Sequence, residues 1–428
     1  MKRILLATTG SLGDLHPILA IGLGLKQRGH TAIVATSNLY REKVIRTGLE
    51  FAPMGPHLDP SAEFINHVFD PVRGPQRLIR DILYPAVPTA YAEVLDALRG
   101  CDIVVTHPIT FAAQIAAEKL RLPWVSTVTA PLSLPSRYDP PVFAMAPSME
   151  KFRALGPAVN AILLGLGRAV VKPWMKPITA FRASLGMPPG KDPLFEGQHS
   201  PRRVLAMFSR VMAEPQPDWP EQTRVIGFPF YDQFEHGQQL DPSLERFLDS
   251  GPAPVVFTLG SSAVFDAGSF YQESVAAAKR LGCRAILLVG TNEIAGPLPA
   301  GTMAFPYAPY SKILPRAACV VHQGGIGTCG QTLAAGRPML VVPFAFDQPD
   351  NAARLRRLGV ARVIRRKNYT GARAAAELER LLRDANYAEA AAEAALRVRA
   401  EDAVLTACDA IEECASEIQP QMNADKHR

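Results

Sequence analysis

The chain has 428 residues, of which 48% are hydrophobic, and it carries a formal net charge of +6 with a pI of about 9.0. That length exceeds what a single hydrophobic core supports and predicts two or three domains. The Lys and Arg residues are dispersed and accompany no nucleic-acid motif, so the composition disfavours a nucleic-acid-binding protein. The net positive charge is compatible with a weak preference for anionic substrates or membrane surfaces.

Cysteine usage and hydropathy bear on location. The six cysteines show no CxxC pair and no metal-ligand spacing, which favours free thiols in a reducing cytoplasm. The apolar start of the chain is too short for a secretory signal. The nearest candidate for a spanning helix, Ala158–Val171, is interrupted by Asn, Gly and Arg residues. We therefore expect a cytoplasmic protein, with peripheral contact at the inner face of the membrane left open.

The first half of the chain alternates short buried strands with helices. Apolar runs bounded by turn residues predict the strands, and longer segments between them predict the helices. The predicted strands are Arg3–Thr9, Thr31–Thr36, Asp102–Thr106 and Trp124–Thr127, and the predicted helices include Pro17–Arg28 and Thr110–Lys119.

The second half repeats this alternation, so the chain is predicted to be α/β with two doubly wound parallel sheets. A Pro-, Gly- and aromatic-rich connection puts the boundary near Asp232–Asp241, which divides the chain into domains 1–235 and 236–400 and a C-terminal segment 401–428. One long helical run from Tyr387 to about Glu417 precedes a frayed polar tail. The predicted strands are Ala253–Gly260, Arg284–Gly290, Cys319–His322, Met339–Pro343 and Arg362–Ile364.

The loop GSLGDLHP follows the first strand directly. Pro17 suits the first position of the next helix, which predicts that Asp14 and His16 lie at the mouth of a cleft. The loop is not a dinucleotide fingerprint, because its glycines give only GxxG and the second strand ends in Thr-Ser-Asn without an acidic residue. An NAD-dependent oxidoreductase is thereby disfavoured.

The stretch from Cys319 to Asn351 carries the strongest signal in the chain. A strand ends in His322, and a glycine-rich turn then leads to Thr328 and a helix. Glycines let several N–H groups approach a ligand, and the helix dipole adds positive charge, so this turn suits a diphosphate. Asp347 and Gln348, after the next strand, reach the same edge and suit sugar hydroxyls. The alternative is that the glycines only make a tight connection.

The motifs HQGGIGT and RPMLVVPFAFDQPDNAARLRRLG resemble the donor-binding motif of nucleotide-sugar glycosyltransferases of the GT-B fold. The resemblance implies two Rossmann-like domains facing across a cleft, with the last helix crossing back onto the first domain. Many relatives bind ribose through a Glu eight residues after the His, where this chain has Gly330, beside Gln331. By position, the resemblance assigns donor binding to Gly13, Ser261, Ser262, Tyr307, Ala308, His322, Gly324, Gly325, Gly327, Thr328, Asp347 and Gln348.

Transfer to a hydroxyl needs a base within hydrogen-bond reach of it. Relatives with GHxxP use the His, whereas sterol and glycopeptide glycosyltransferases carry GDxxP, so the resemblance implies Asp14 as the base with His16 assisting or orienting it. His16 has the better intrinsic pKa, and its alternative role is a helix N-cap. His107, at the end of another strand, is interpreted as structural.

The chain lacks a DxD-type carboxylate pair, so we expect a metal-independent, inverting transferase without a cofactor beyond its nucleotide sugar. Two apolar segments, Pro131–Pro147 and Leu155–Met175, predict a hydrophobic acceptor, or simply core. VIGFPFYD, RFLDSGPAPVVFTLGSS and YAPYSKILPRAACVVHQGGIGT resemble the rhamnosyltransferase chain of bacterial rhamnolipid synthesis, which implies a hexose or deoxyhexose on UDP or dTDP and a lipid or other small-molecule hydroxyl.

Two other classes stay open. One is a non-catalytic GT-B-fold partner of another glycosyltransferase, against which the intact donor motif argues. The other is a nucleotide-sugar epimerase, which shares the architecture but uses different acid and base residues. The sequence does not decide the oligomeric state, the donor base or the sugar.

Overall fold

A computed structural model describes residues 1–57, 67–70, 73–144, 149–231 and 240–417. They form two parallel β-sheets with helices packed on both faces of each, which confirms the predicted α/β architecture. The predicted domain boundary at 235/236 and the polar tail 419–428 lie outside the described residues. No helix in the described part of the chain is both long and apolar enough to cross a membrane.

The first sheet has seven parallel strands in the order β3-β2-β1-β4-β5-β6-β7. Its middle strands are fully buried because both sheet faces are covered, and they accordingly consist of apolar and β-branched residues. The strands are β1 (Arg3–Ala7), β2 (Thr31–Thr36), β3 (Glu50–Pro53), β4 (Ile103–Thr106), β5 (Trp124–Val128), β6 (Val204–Ala206) and β7 (Thr223–Val225).

The second sheet has six parallel strands in the order β10-β9-β8-β11-β12-β13. In both sheets the chain steps outward in one direction and then returns to the other side of its first strand, which is the doubly wound topology of dinucleotide-binding folds. The strands are β8 (Val255–Thr258), β9 (Ala285–Leu288), β10 (Thr302–Phe305), β11 (Cys319–His322), β12 (Met339–Val341) and β13 (Ala361–Val363).

Helices connect the strands and cover the sheets. Those of the first half are α1 (Leu12–Gln27), α2 (Arg41–Arg46), α3 (Gly74–Arg77), α4 (Tyr84–Ala97), α5 (Phe111–Lys119), α6 (Met149–Phe152), α7 (Pro157–Val171) and α8 (Lys176–Ser184). Those of the second half are α9 (Pro242–Asp249), α10 (Phe270–Leu281), α11 (Tyr310–Ile313), α12 (Ile326–Ala335), α13 (Gln348–Arg357), α14 (Gly371–Arg383), α15 (Ala385–Arg399) and α16 (Ala403–Ser416).

Several predicted element bounds are wrong. Helix α1 begins at Leu12, not at Pro17, because Ser11 caps it and Pro17 is accommodated inside its second turn. The long C-terminal run is two helices, α15 and α16, separated at residues 400–402, where Asp402 caps the second helix. Strands β3, β6, β7 and β10, of three or four residues each, are absent from the predicted set.

The last helix lies against the first domain. Its buried face, including Cys408 and Ile411, joins the hydrophobic core formed by α1 and the first sheet. Glu412 accepts from Arg28 at 2.8 Å and pairs with the His30 ring at 2.7 Å. Helix α15, immediately before it, packs on α12 in the second domain. The two helices therefore tie the domains together.

Candidate active site

A cleft of about 1420 Å³ lies between the two sheets, at the carboxyl ends of their strands. From the first sheet its lining includes the residues after β1, β2, β4 and β5, and from the second sheet those after β8, β11 and β12. In each sheet the strand order reverses between the first and fourth strands, and ligands bind at such switch points in open α/β sheets. The topology therefore brings the predicted donor and acceptor halves face to face.

Asp14 is fixed by the start of helix α1. Ser11 is the N-cap, and the Asp14 Oδ2 atom accepts from the Ser11 N–H at 2.8 Å in a reciprocal capping box. The second carboxylate oxygen, Oδ1, lies 3.3 Å from Nε2 of His107. Because one oxygen is held by the backbone, the carboxylate keeps a fixed orientation and lines the cleft.

His107 is the imidazole that faces Asp14, although the sequence pattern indicated a structural role for it. It follows β4, which pairs directly with β1, so that Thr106 lies opposite Ala7. The ring is 4% exposed and contacts Asp14 at ion-pair distance without the alignment of a directed hydrogen bond. Its position at the switch point between two adjacent strands was the signal that could have identified it.

His16 does not line the cleft, contrary to the expectation that it assists Asp14. Two residues apart on a helix, the two side chains point in nearly opposite directions. The His16 ring packs against Tyr231 with a centroid distance of 4.9 Å. Burial, with a smaller contribution from the charge of Lys43, lowers its pKa to about 3, so the ring is neutral at ordinary pH. Its alternative role as N-cap is also wrong, because Ser11 caps the helix.

The glycine-rich turn after β11 is shaped by His322. The Gly324 N–H donates to His322 Nδ1 at 3.0 Å, so the neutral ring carries its proton on Nε2. Complete burial lowers the pKa of His322 to about 3, which keeps the ring neutral. Gly324 has a φ of +88°, and a Cβ there would lie 2.8 Å from Val341 Cγ1. This turn therefore needs glycine at that position.

The turn presents the start of helix α12 to the cleft. Gly325 is the N-cap, and Gly325, Gly327 and Thr328 line the cleft. Gln323, which sequence reasoning did not select, also lines it, and its amide lies against the backbone of Gly260. The N–H groups of the first turn are free of helical partners by geometry, and the helix dipole adds positive charge. This end of the cleft is suited to bind an anion.

Asp347 and Gln348 stand at the start of helix α13, on the same side of the cleft. Gln348 Oε1 accepts from the N–H groups of Phe344 at 2.8 Å and Ala345 at 3.1 Å, which holds the side chain in place. Asp347 accepts from Asn351 Nδ2 at 2.7 Å. Burial raises the pKa of Asp347 to about 7, and the negative charge of Asp14 adds to the rise. The carboxyl groups of Asp14 and Asp347 therefore interact electrostatically across the cleft.

Comparison with known proteins agrees with this geometry. A model of the C-terminal domain of erythromycin biosynthesis protein CIII-like proteins matches residues 284–411, and one of the glycosyltransferase family 28 N-terminal domain matches residues 4–134. The chain is 35% identical to O-mycaminosyltylonolide 6-deoxyallosyltransferase of Streptomyces fradiae over 426 residues, covering 96% of this chain and 97% of the relative. The chain belongs to the GT-B glycosyltransferases.

Two further relatives broaden the comparison. Vancomycin aglycone glucosyltransferase of Amycolatopsis orientalis is 28% identical over 84% of each chain. The solved structure of a spinosyn rhamnosyltransferase complexed with thymidine diphosphate matches with a TM-score of 0.69, at 16% identity, over 96% of this chain and 100% of that one. The second likeness is one of fold.

The packing around Gly330 gives a physical reason for glycine at this position. A Cβ at position 330 would lie 2.8 Å from the Phe228 ring. Phe228 belongs to a hydrophobic cluster that both domains share, together with Leu333 and Met339 of the second domain. The contact between the domains therefore leaves no room for a side chain at position 330.

Not all predicted donor residues reach the cleft lining of this glycosyltransferase. Ser261 and Ser262, after β8, do line it, as does Gly13. Tyr307 is 56% exposed and Ala308 is buried, and neither contributes to the lining. His322 and Gly324 lie behind the turn that they shape. Among the described residues, no group of three or more His, Cys, Asp or Glu side chains is arranged to hold a metal ion.

The first-domain side of the cleft combines apolar side chains with polar and charged ones such as Glu42, Lys43 and Arg46, and the apolar ones mostly do not come from the predicted segments. Of residues 131–147, Leu132 and Ser133 line the cleft, and 145–147 lie outside the described residues. Leu155–Met175 contributes no lining, because it forms a surface helix and the turn after it. Apolar side chains that line this side are Leu12, Leu39, Val68, Phe69, Leu78, Ile79, Leu83 and Ile109.

Proposed function

We propose that this enzyme transfers a hexose or deoxyhexose from a UDP- or dTDP-sugar to a hydroxyl of a hydrophobic small molecule or lipid, with inversion and without a metal ion or other cofactor. The observation that carries the proposal is the pairing across one cleft of Asp14 with an anion-binding turn and the Asp347-Gln348 pair. A base, a diphosphate site and a group for sugar hydroxyls are the parts that glycosyl transfer needs.

Asp14 is the base in this proposal. Its carboxylate takes the proton of the acceptor hydroxyl while the acceptor oxygen bonds to the anomeric carbon. The bond from that carbon to the diphosphate oxygen breaks, and the diphosphate leaves with the electron pair. His107 lies 3.3 Å from the carboxylate and acts as a positioning residue that stabilises the proton on Asp14 or takes it over. A single displacement of this kind inverts the anomeric centre.

The diphosphate is stabilised by neutral donors. The N–H groups of the turn, the dipole of α12 and the Thr328 hydroxyl face the place where negative charge develops. His322 supports them from behind the turn, because its Nδ1 accepts the Gly324 N–H and holds the turn in place. Such preorganised donors supply the stabilisation that a divalent ion gives in other transferases, and they support the proposed metal independence.

The donor is proposed to be dTDP-linked in preference to UDP-linked. The resemblance places Gly330 where a Glu would bind the ribose hydroxyls. Because deoxyribose has one hydroxyl fewer than ribose, the absence of that Glu should weaken the binding of a dTDP-sugar less than that of a UDP-sugar. The spinosyn rhamnosyltransferase, which shares the fold, was solved with thymidine diphosphate. The Streptomyces fradiae relative is named as an O-mycaminosyltylonolide 6-deoxyallosyltransferase, which supports a deoxyhexose as the transferred sugar.

The proposed location is the cytoplasm, with contact at the inner face of the membrane. All six cysteines are free, as expected for a reducing compartment. An acceptor that fits the apolar side of the cleft would itself partition into lipid.

The test is an acceptor-dependent release of nucleotide diphosphate. Purified protein is incubated with dTDP- and UDP-sugars and a panel of macrolide, sterol, phenolic and lipid acceptors, with and without EDTA, and the product anomer is assigned by NMR. We expect release only with acceptor, an inverted product and no effect of EDTA. Sugar isomerisation without acceptor would instead identify an epimerase, and the absence of all turnover would favour a non-catalytic partner protein.

A further inference from the structure

Helix α7 of the first domain exposes an apolar face. Ile162, Leu166 and Val170 are 65%, 62% and 68% exposed and follow one another at every fourth position. Val159 extends the same row, and the exposed Leu155 lies in the turn just before the helix; we call these five residues the α7 stripe. Single exposed apolar residues are common on protein surfaces, but a continuous row along one helix face indicates an interaction surface.

The orientation of the stripe is fixed by contacts on the opposite side of α7. The Asn160 side chain is 2% exposed and donates to the Arg137 carbonyl at 3.0 Å. Arg168, two turns further on, pairs with Glu196 and lies over the Phe195 ring, 4.4 Å from its centroid. Turning the stripe inward would break these contacts, so the apolar face is held toward the outside.

The charge around the stripe is mainly basic. Residues 151–191 contain seven Lys and Arg residues and no Asp or Glu. Arg153, Arg168 and Arg182 pair with acidic residues of other segments, and the other four are lysines. Lys151 before the helix and Lys172 and Lys176 after it are exposed. An exposed apolar helix face flanked by cations is the pattern of helices that lie in the interface of a bilayer with anionic lipids.

We propose that the α7 stripe and its flanking lysines dock this enzyme onto an anionic lipid bilayer, with α7 lying in the plane of the membrane. A second copy of the chain is a poorer occupant. In a two-fold contact through this face, the basic segment 151–191 of one copy would lie against the same segment of the other. That segment contains no acidic residue to offset the repulsion between their positive charges. Anionic headgroups complement both the charge and the apolar row.

Docking here would bring the acceptor side of the cleft close to the membrane. Ser133 lines the cleft, and Arg137, which accepts from Asn160 of α7, is four residues further on. Four residues span at most about 14 Å. A lipid-soluble acceptor would then have a short path from the bilayer to the cleft. The docking surface shares no residue with the proposed donor site and goes beyond the proposed transfer.

Vesicle co-sedimentation tests the proposal. Phosphatidylcholine vesicles are compared with vesicles that also contain phosphatidylglycerol, without any nucleotide sugar, so that failure here leaves the proposed transfer untouched. We expect binding to the anionic vesicles only, weakened by salt, and about ten-fold or more weaker in Ile162→Glu/Leu166→Glu. Lys172→Glu/Lys176→Glu should remove the preference for anionic lipid. Leu396→Glu/Leu405→Glu, which changes two exposed leucines on other helices, is the matched control and should bind as wild type.

The remaining outcomes overturn the proposal. These are no binding of the wild type, equal binding to neutral vesicles, or undiminished binding of Ile162→Glu/Leu166→Glu. Sedimentation velocity on the same proteins tests self-association. If the wild type is a dimer that does not bind vesicles, and Ile162→Glu/Leu166→Glu is a monomer, the stripe binds a second copy of the chain. Circular dichroism and the unfolding midpoint verify that each variant is folded.

Discussion

The contact between the domains depends on a buried arginine, Arg354, whose removal gives a sharp prediction. Arg354 lies on α13, is 5% exposed, and donates through Nε to Asp350 Oδ2 at 2.8 Å. It also pairs with Asp139 of the first domain. Asp350 is fully buried and accepts the Val142 N–H at 2.9 Å, so its carboxylate bridges the same two domains.

Arg354→Met would leave the buried Asp350 carboxylate with one neutral donor, Val142 N–H. Removing one partner of a buried ion pair costs about 3–5 kcal/mol. Asp139 keeps Arg357 at 3.3 Å and Arg153 at 3.4 Å, so we take the lower end. A loss of about 3 kcal/mol corresponds to a fall in Tm of roughly 6–12 °C for a domain of this size.

Calorimetry on the purified variants measures this loss. Arg356→Met is the control on the same helix, because Arg356 is half exposed and pairs with Glu150, and it should cost less than about 1 kcal/mol. Adding Asp350→Asn to Arg354→Met should recover part of the loss by removing the unpaired charge. Equal effects of Arg354→Met and Arg356→Met, or no recovery, would refute the reasoning. Because α13 begins at Gln348, we also expect a higher KM for the donor.

Three further changes test the site. Asp14→Asn should lower kcat by about 10²-fold or more, and an Asp14→Asn variant that keeps its activity would contradict the assigned base. His107→Gln should lower kcat by a smaller factor and shift the pH profile. Initial rates measured against pH test both variants. Gly330→Glu should cost about 1–3 kcal/mol in a denaturant titration because Phe228 occupies the space, and an equally stable variant would contradict that packing. The pKa of Asp347, about 7, lies above its unfolded value, so the stability that this group contributes should fall as pH rises toward and through 7. Tm values from about pH 5 to 8 should therefore fall more in wild type than in Asp347→Asn, and parallel curves would count against the raised pKa.

Part of the site was predictable because backbone geometry dictates residue type. Gly324 has a positive φ and a near neighbour in Val341, so its glycine identifies the turn directly. The start of α1 was predictable too, since Ser11 followed three residues later by Asp14 is a capping box. Pro17, which suits the first position of a helix, predicts a start five residues too late, because the structure accommodates it inside the helix.

Other parts depend on contacts between distant segments. His107 meets Asp14 only because β4 lies beside β1 in the sheet, which no local pattern reports. The apolar run Leu155–Met175 predicts either acceptor lining or core, because hydrophobicity does not indicate whether an apolar face meets a cleft, the core or the outside. Position 330 shows the same limit, because its glycine is explained by the ring of Phe228, about a hundred residues earlier.

The electrostatics of the cleft separate the two kinds of binding proposed for this enzyme. Among the described residues, the second-domain lining contains no Lys or Arg, so the diphosphate would be held by N–H groups and by the dipole of α12. The α7 surface, in contrast, depends on exposed lysines and an anionic bilayer. Screening weakens exposed charges far more than short contacts in a cleft. Salt should therefore release the enzyme from the membrane while its affinity for nucleotide changes little, because the two sites bind anions by different physical means.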